Sequence, residues 1–230
     1  MIKKTLAIYI VILGFNYSVF GFDNVFPIQI TGKITCSKQA VASVVISDGI
    51  SVVVTDNNGA YLLHSSSDRE FVFYSLPSGY ESPIVDGVPV FYTVINKQNE
   101  KQQIDFELIK SNRSQTQHAF IVAGDPQVSD MDDCELLKLV MADIHKTASN
   151  LSAKMPVHAI SMGDNVFDNL ELFDTYKQLI ATPKLPFYQV VGNHDMDYNH
   201  RSDEYRQSPI LQNLAPVTIP STKATFIMWF

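Results

Sequence analysis

Cysteine is scarce in this chain. Cys36 and Cys134 are the only two, too few for a disulfide framework, and they fall in regions of different pattern. Two buried thiols are the simplest reading, with an interdomain bridge the alternative in an oxidising compartment. Neither follows the apolar amino-terminal run closely enough to carry a lipid. Basic residues are also short, with 17 Lys and Arg against 24 Asp and Glu and a formal net charge of −7. A nucleic-acid backbone needs clustered Lys and Arg, so no nucleic-acid-binding patch is expected. The deficit speaks less strongly against phosphate groups, because bound cations can dominate a local field. A long membrane-spanning run is missing as well. Lys3 and Lys4 precede an apolar stretch from Thr5 to Leu13, and Asn16, Tyr17 and Ser18 interrupt it, well short of the ~20 apolar residues of a span. Residues 1–21 read as a cleavable signal ending at Val19-Phe20-Gly21, with a retained anchor as the alternative. The protein is therefore expected to be exported, periplasmic or secreted, and free of the membrane once the signal is removed.

What is present is the composition of a globular chain, 46% hydrophobic and 18% charged over 230 residues, enough for a sizeable core and more than one domain. From Ile28 to Ile109 the pattern is β. Val41 to Ser47 is β-branched and half-alternating, Asp48-Gly49 supplies a turn, Ser51 to Thr55 forms the next strand, and Asp56-Asn57-Asn58-Gly59 forms a second turn. Tyr61 to Leu63 and Glu70 to Tyr74 follow at short spacing, with Pro77, Gly79 and Pro83 in the loops. Many short strands with such turns predict a small β-sandwich over residues 28–109. His64, among serines, reads as a surface residue. No chemistry is assigned to this region.

Residues 110–117 are polar and read as a linker. Beyond it the period changes. His118 to Gly124 is a short apolar run, Asp132 to Asn150 carries Leu136, Leu137, Val140 and Ile144 at helical spacing, and Val157 to Met162 is a second strand. Leu170 to Ile180 repeats the helical pattern through Leu172, Phe173, Tyr176 and Leu179, and Phe187 to Val191 is a third strand. Strand, helix, strand, helix, strand predicts a parallel sheet covered by helices. The overall expectation is an α+β chain in which a β-sandwich precedes an incomplete α/β sandwich over residues 118–230. The β region should fold alone, with proteolysis expected first between Lys110 and Arg113 or after His200.

Each of these three strands ends in a polar cluster: Asp125-Pro126-Gln127, Gly163-Asp164-Asn165, and Gly192-Asn193-His194-Asp195. The carboxyl ends of parallel strands share one edge of the sheet, where such folds bind ligands. Carboxylates, amide oxygens and imidazole therefore converge from three loops, a donor mixture suited to Mn, Fe or Zn. A single Gly-Asp at a strand end is usually a turn with a capping Asp; the ordered triple is far more specific. His118, His145 and His158 read as structural, and His200 lies six residues beyond His194, too near for a separate strand-end motif.

On these residues the chain resembles the calcineurin-like metallophosphoesterases. The stretches Val41 to Gly49 and Thr55 to Tyr61 resemble the transthyretin-like amino-terminal domain that precedes some bacterial members. The resemblance implies hydrolysis of a phosphate mono- or diester, carried by a small molecule or a phosphorylated macromolecule, at a site with two divalent metal ions. Asp125 would bind the first metal, and Gln127 would stand where many members have a His, its oxygen being the weaker donor. Asp164 would bridge the two ions, and Asn193 would bind the second through its amide oxygen. His194 would hydrogen-bond the phosphate or protonate the leaving oxygen, with Asp195 holding its ring.

The later His ligands implied by the resemblance, an isolated His and a Gly-His-x-His segment, have no counterpart between His200 and Phe230. Read one frame over, the codons permitted for Leu214 to Phe230 allow much of the family-like string FGPxYYSFNxGNVHYVV, and those of Met228, Trp229 and Phe230 force Val-Val. This implies a frameshifted tail beginning between about Arg201 and Ile210. The expectation is an incomplete, inactive phosphoesterase that binds at most one metal weakly through Asp125, Asp164 and Asn193. Two alternatives stay open: an exported non-catalytic binding module with a degenerate phosphoesterase domain, and an enzyme that borrows donors from a second chain.

Overall fold

The computed structural model describes residues 25–113 and 116–197. The signal segment, His200 and the tail after Asp197 lie outside the described residues. The first region contains β1 (Pro27–Cys36), β2 (Gln39–Ala40), β3 (Val45–Ser47), β4 (Val52–Val54), β5 (Ala60–Ser66) and β6 (Phe71–Tyr74). It continues through β7 (Tyr80–Glu81), β8 (Ile84–Val85), β9 (Val88–Pro89), β10 (Tyr92–Val94), β11 (Lys101–Gln103), β12 (Phe106–Glu107) and β13 (Ile109–Lys110). The second region holds β14 (Ala119–Ala123), α1 (Met131–Ser152), β15 (Val157–Ser161), α2 (Phe173–Ala181) and β16 (Phe187–Gln189). The described chain is thus mostly strand with two α-helices, an α+β composition with a sheet-rich first region.

β1 organises the first region. Its residues alternate, and Ile28, Ile30, Ile34 and Cys36 point inward, the period of two that a half-buried strand requires. β5 pairs with it antiparallel from Pro27↔Ser66 to Lys33↔Ala60, while β11 and β12 pair with it in parallel. A second, antiparallel sheet has the order β10-β6-β3-β4. Side chains of both sheets enter one hydrophobic cluster, with Ile30 and Leu63 from the first and Ile46 and Val72 from the second. Each such side chain contributes about 1.5–3 kcal/mol by leaving water. The turns are closed by their own side chains. Asp48 Oδ1 accepts from the Ile50 and Ser51 N–H groups, and Asp56 Oδ1 from those of Asn58 and Ala60, the local bonding that makes Asp a turn residue. His64 is exposed.

In the second region β14, β15 and β16 form a parallel sheet in that order, in register from Ala119↔Val157 and Ala159↔Phe187. Asp130 caps α1 by accepting from the Asp132 and Asp133 N–H groups at 3.0 Å, and the two acidic residues in the first turn suit the helix dipole. The buried stripe of α1 is Cys134, Leu137, Met141 and Ala148. Leu136 and Val140, which sequence spacing also places inward, are exposed together with Leu139. Two overlapping apolar stripes exist on this helix, and packing selects the one that reaches Val157, Ala159, Phe173 and Tyr176 in a second core. Cys36 and Cys134 are free thiols, one in each core. Among the described residues no helix is long and apolar enough to cross a membrane.

The two regions touch along one seam. The Phe187 N–H, on the outer edge of β16, donates to the Gly87 carbonyl at 3.0 Å, so the β8–β9 hairpin meets an otherwise open strand edge. Gly87 has φ +79°, and a Cβ there would lie 2.6 Å from Ala181 Cα; only glycine supplies both the turn and the approach. Val88 packs against the second core, and the Phe91 and Tyr188 rings lie 5.9 Å apart.

Candidate functional site

The parallel register brings Ala123, Ser161 and Gln189 to the same edge of the sheet, and the loops that follow carry the strand-end residues. They are linked directly. The Gln127 N–H donates to the Asp164 carbonyl at 2.8 Å, and Val128 and Val166 form a parallel bridge that continues the pairing beyond the strands. Gln127 Nε2 lies 3.3 Å from Asp164 Oδ2, and the His194 N–H donates to Asp164 Oδ1 at 3.0 Å. Asp164 therefore joins all three loops. Gly192 permits this: a Cβ on it would stand 1.9 Å from Asp164 Oδ1, a contact no side chain can make.

Asp195 is fully buried beneath these loops. Its carboxylate accepts from Asn165 Nδ2, Val166 N and Gly192 N, each at 2.9 Å. Burial pushes its carboxyl above the ordinary range, against the pull of those donors. The ring partner of His194 is not Asp195 but Asp168, whose Oδ1 lies 2.9 Å from His194 Nδ1. The expectation that Asp195 holds the ring is corrected here: its oxygens are committed to closing the loops. The hydrogen bond to Asp168 raises the His194 pKa, and Phe167 stacks on the ring with centroids 4.2 Å apart.

Beneath the loops runs a buried polar network that sequence reasoning missed. The Tyr176 hydroxyl lies 2.8 Å from Asn165 Oδ1 and 2.7 Å from Gln189 Oε1, and Ser161 Oγ also hydrogen-bonds Asn165 Oδ1. Gln189 interrupts the apolar Phe187 to Val191 run and was the available signal. Asp168 carried none, since a side-chain partnership across 26 residues has no local signature.

Four of the nine non-glycine residues with positive φ among the described residues lie here, the others being Ser37, Lys38, Ser43, Asp86 and Lys184. Asp125, Gln127, Asp164 and Asp168 all have positive φ, between +30° and +55°. Such conformations are costly for residues with a side chain and gather at functional sites. Asp125 and Asn193 are exposed beside the loops, while Gln127, Asp164 and His194 are half-buried.

With the geometry in place, comparison with known proteins adds one finding. Residues 28–111 match the family model described as the N terminal of calcineurin-like phosphoesterase. The match covers the sheet-rich region and points to the calcineurin-like phosphoesterase family, whose members are in general metal-dependent hydrolases. No curated protein matches the chain. The strand-end loops lie outside the matched residues, so their role is argued from geometry alone.

A two-metal phosphoesterase centre can be tested against the donors present. The oxygens are of the right kind, but Gln127 presents its amide nitrogen, not its oxygen, to Asp164 Oδ2 at 3.3 Å. The number is too small. Among the described residues no group of three or more His, Cys, Asp or Glu could hold a metal ion, and both Asp164 oxygens already accept hydrogen bonds. Residues 25–197 do not fit a two-ion centre by themselves.

Proposed function

We propose that the chain is of calcineurin-like phosphoesterase lineage and that residues 25–197 carry the phosphate-facing part of its site with an incomplete set of metal donors. On this reading residues 28–109 form a transthyretin-like β-sandwich that acts as scaffold, and residues from 118 onward form the phosphoesterase part. The protein acts outside the cytoplasm once residues 1–21 are removed. Its substrate class is a phosphate mono- or diester. The observation that carries the proposal is the meeting of three strand-end loops at Asp164, directly after a region that matches the amino-terminal module of that family.

The chemistry assigned to this chain's own residues is limited. His194, held at Nδ1 by Asp168 and with its ring stacked on Phe167, is the donor to a phosphate oxygen and the proton source for the leaving oxygen, and the Asp168 contact favours its protonated form. Asp168 positions it. Asp195 acts through the loops, with no contact to substrate. Asp125, Gln127, Asp164 and Asn193 supply oxygens for at most one weakly held Mn, Fe or Zn ion, and any further donors come from residues after 197 or from a second chain. As it stands the chain hydrolyses phosphoesters weakly or not at all.

A second reading is an exported non-catalytic binding module with a degenerate phosphoesterase domain, with which the lack of a three-donor cluster among the described residues agrees. Calorimetry with inorganic phosphate in the presence of Mn²⁺ separates the two. The phosphoesterase reading expects binding that His194→Ala weakens by roughly 10- to 100-fold, the scale of one charge-assisted hydrogen bond. Binding that is indifferent to His194 sinks the assignment, and absence of phosphate binding favours the second reading.

A further inference from the structure

At the opposite end of the parallel sheet from the candidate site, two imidazoles meet. His118 immediately precedes β14, and His158 is the second residue of β15 and pairs in register with Phe120. Nδ1 of His118 and Nε2 of His158 stand 3.4 Å apart, with ring centroids at 5.6 Å and planes 24° from parallel. In the metal-free chain the two nitrogens share a hydrogen bond at the long end of the range, which a cation would replace. Their separation matches the distance between two nitrogens of a tetrahedral Zn²⁺, roughly 3.3–3.4 Å for bonds of about 2.0–2.1 Å.

We propose that His118 and His158 form a two-histidine site for a single tetrahedral divalent cation of the zinc type, separate from the strand-end loops.

The surroundings support it. Phe120 stacks on the His158 ring at 5.3 Å and Tyr188 flanks it at 6.4 Å, which fixes the imidazole orientation as a ligand requires. Burial, then the neighbouring His118, lowers the His158 pKa, with Arg113 acting the same way and the Glu81 carboxylate opposing. Glu81 also contributes a negative charge against the incoming cation, and Arg113 partly cancels it. Both histidines lie on the sheet face away from α1 and α2, where Phe120 and Val122 are more than half exposed. The remaining two coordination positions are open to water or to a donor from another molecule.

The test is a Zn²⁺ titration of the whole chain near neutral pH, with Co²⁺ as a second probe whose visible absorption reports tetrahedral geometry. The expected result is a tetrahedral site, distinct from any weak ion at Asp164, whose affinity falls by roughly 10- to 100-fold or more in His118→Ala and in His158→Gln and survives in Asp164→Asn. His118 is exposed, so its removal leaves the fold intact and the comparison stands even if His158→Gln loosens the sheet. Unchanged Zn²⁺ affinity in both histidine variants overturns the proposal, as does a loss confined to Asp164→Asn.

Discussion

The two regions of this molecule solve the same problem with different completeness. In the first, two sheets send side chains into one shared core, so the inward faces of β1, β5, β3 and β6 are all covered. In the second, one face of the parallel sheet is covered by α1 and α2, and the other presents Phe120 at 63% and Val122 at 61% exposure. The placement of polar groups differs too. Both regions bury polar side chains, but the first, with Ser47, Asp48, Thr55, Ser65 and Ser82, closes its turns locally through Asp48 and Asp56, whereas the second gathers Ser161, Asn165, Gln189 and Asp195 under three loops. A region with a self-contained apolar core is built for stability. A region that buries an acid beneath strained loops gives up stability to hold a geometry.

The largest effect that would sharpen this contrast comes from Asp195→Ala. It leaves the Val166 and Gly192 N–H groups without an acceptor and takes one of the two acceptors of Asn165 Nδ2, which keeps the Val190 carbonyl, at about 1–3 kcal/mol for each buried group left unpaired. The second region should lose about 3 kcal/mol or more, read by hydrogen exchange as lost protection in β14 to β16 while β1 and β5 keep theirs. Equal loss in β1 and β5 would make the two regions one cooperative unit and break the comparison.

A smaller effect tests the seam. Gly87→Ala forces a side chain into positive φ and against Ala181, and should cost about 1–3 kcal/mol. The expected readout is faster proteolysis between the regions, with each core still protected. An unchanged cleavage rate would mean that the hairpin does not couple them.

The smallest effect is a pH dependence confined to the second region. Burial lowers the His158 pKa below its ordinary 6.5, so between the two values the unfolded chain binds more protons than the folded one. Stability is then full above about 6.5 and declines as pH falls toward the folded value. His158→Gln should flatten the acid side of the curve. A slope that persists unchanged would assign it to another group.

Much of this was legible in the sequence, for physical reasons that differ by region. Alternation in β1 and the Asp-Gly and Asn-Gly turns are local signals, and they locate strands and turns closely. The strand-end triple was legible because parallel strands must bring their carboxyl ends to one edge. The α1 register was not, because Leu136 and Val140 satisfy the helical period as well as Cys134, Leu137 and Met141 do, and only tertiary packing chooses between them. The partnership of Asp168 with His194 and the anchoring role of Asp195 were hidden for the same reason: adjacency in sequence suggested Asp195, and the fold placed Asp168 against the ring.

The central claim is that Asp164 joins three loops into the phosphate-facing part of a phosphoesterase site whose metal donors are incomplete within residues 25–197. Equilibrium dialysis of the purified chain against Mn²⁺, an oxygen-preferring ion, tests it most directly. The account predicts at most one weakly held ion per chain, lost in Asp164→Asn. Two tightly held ions, or Mn²⁺ binding indifferent to Asp164, would contradict it.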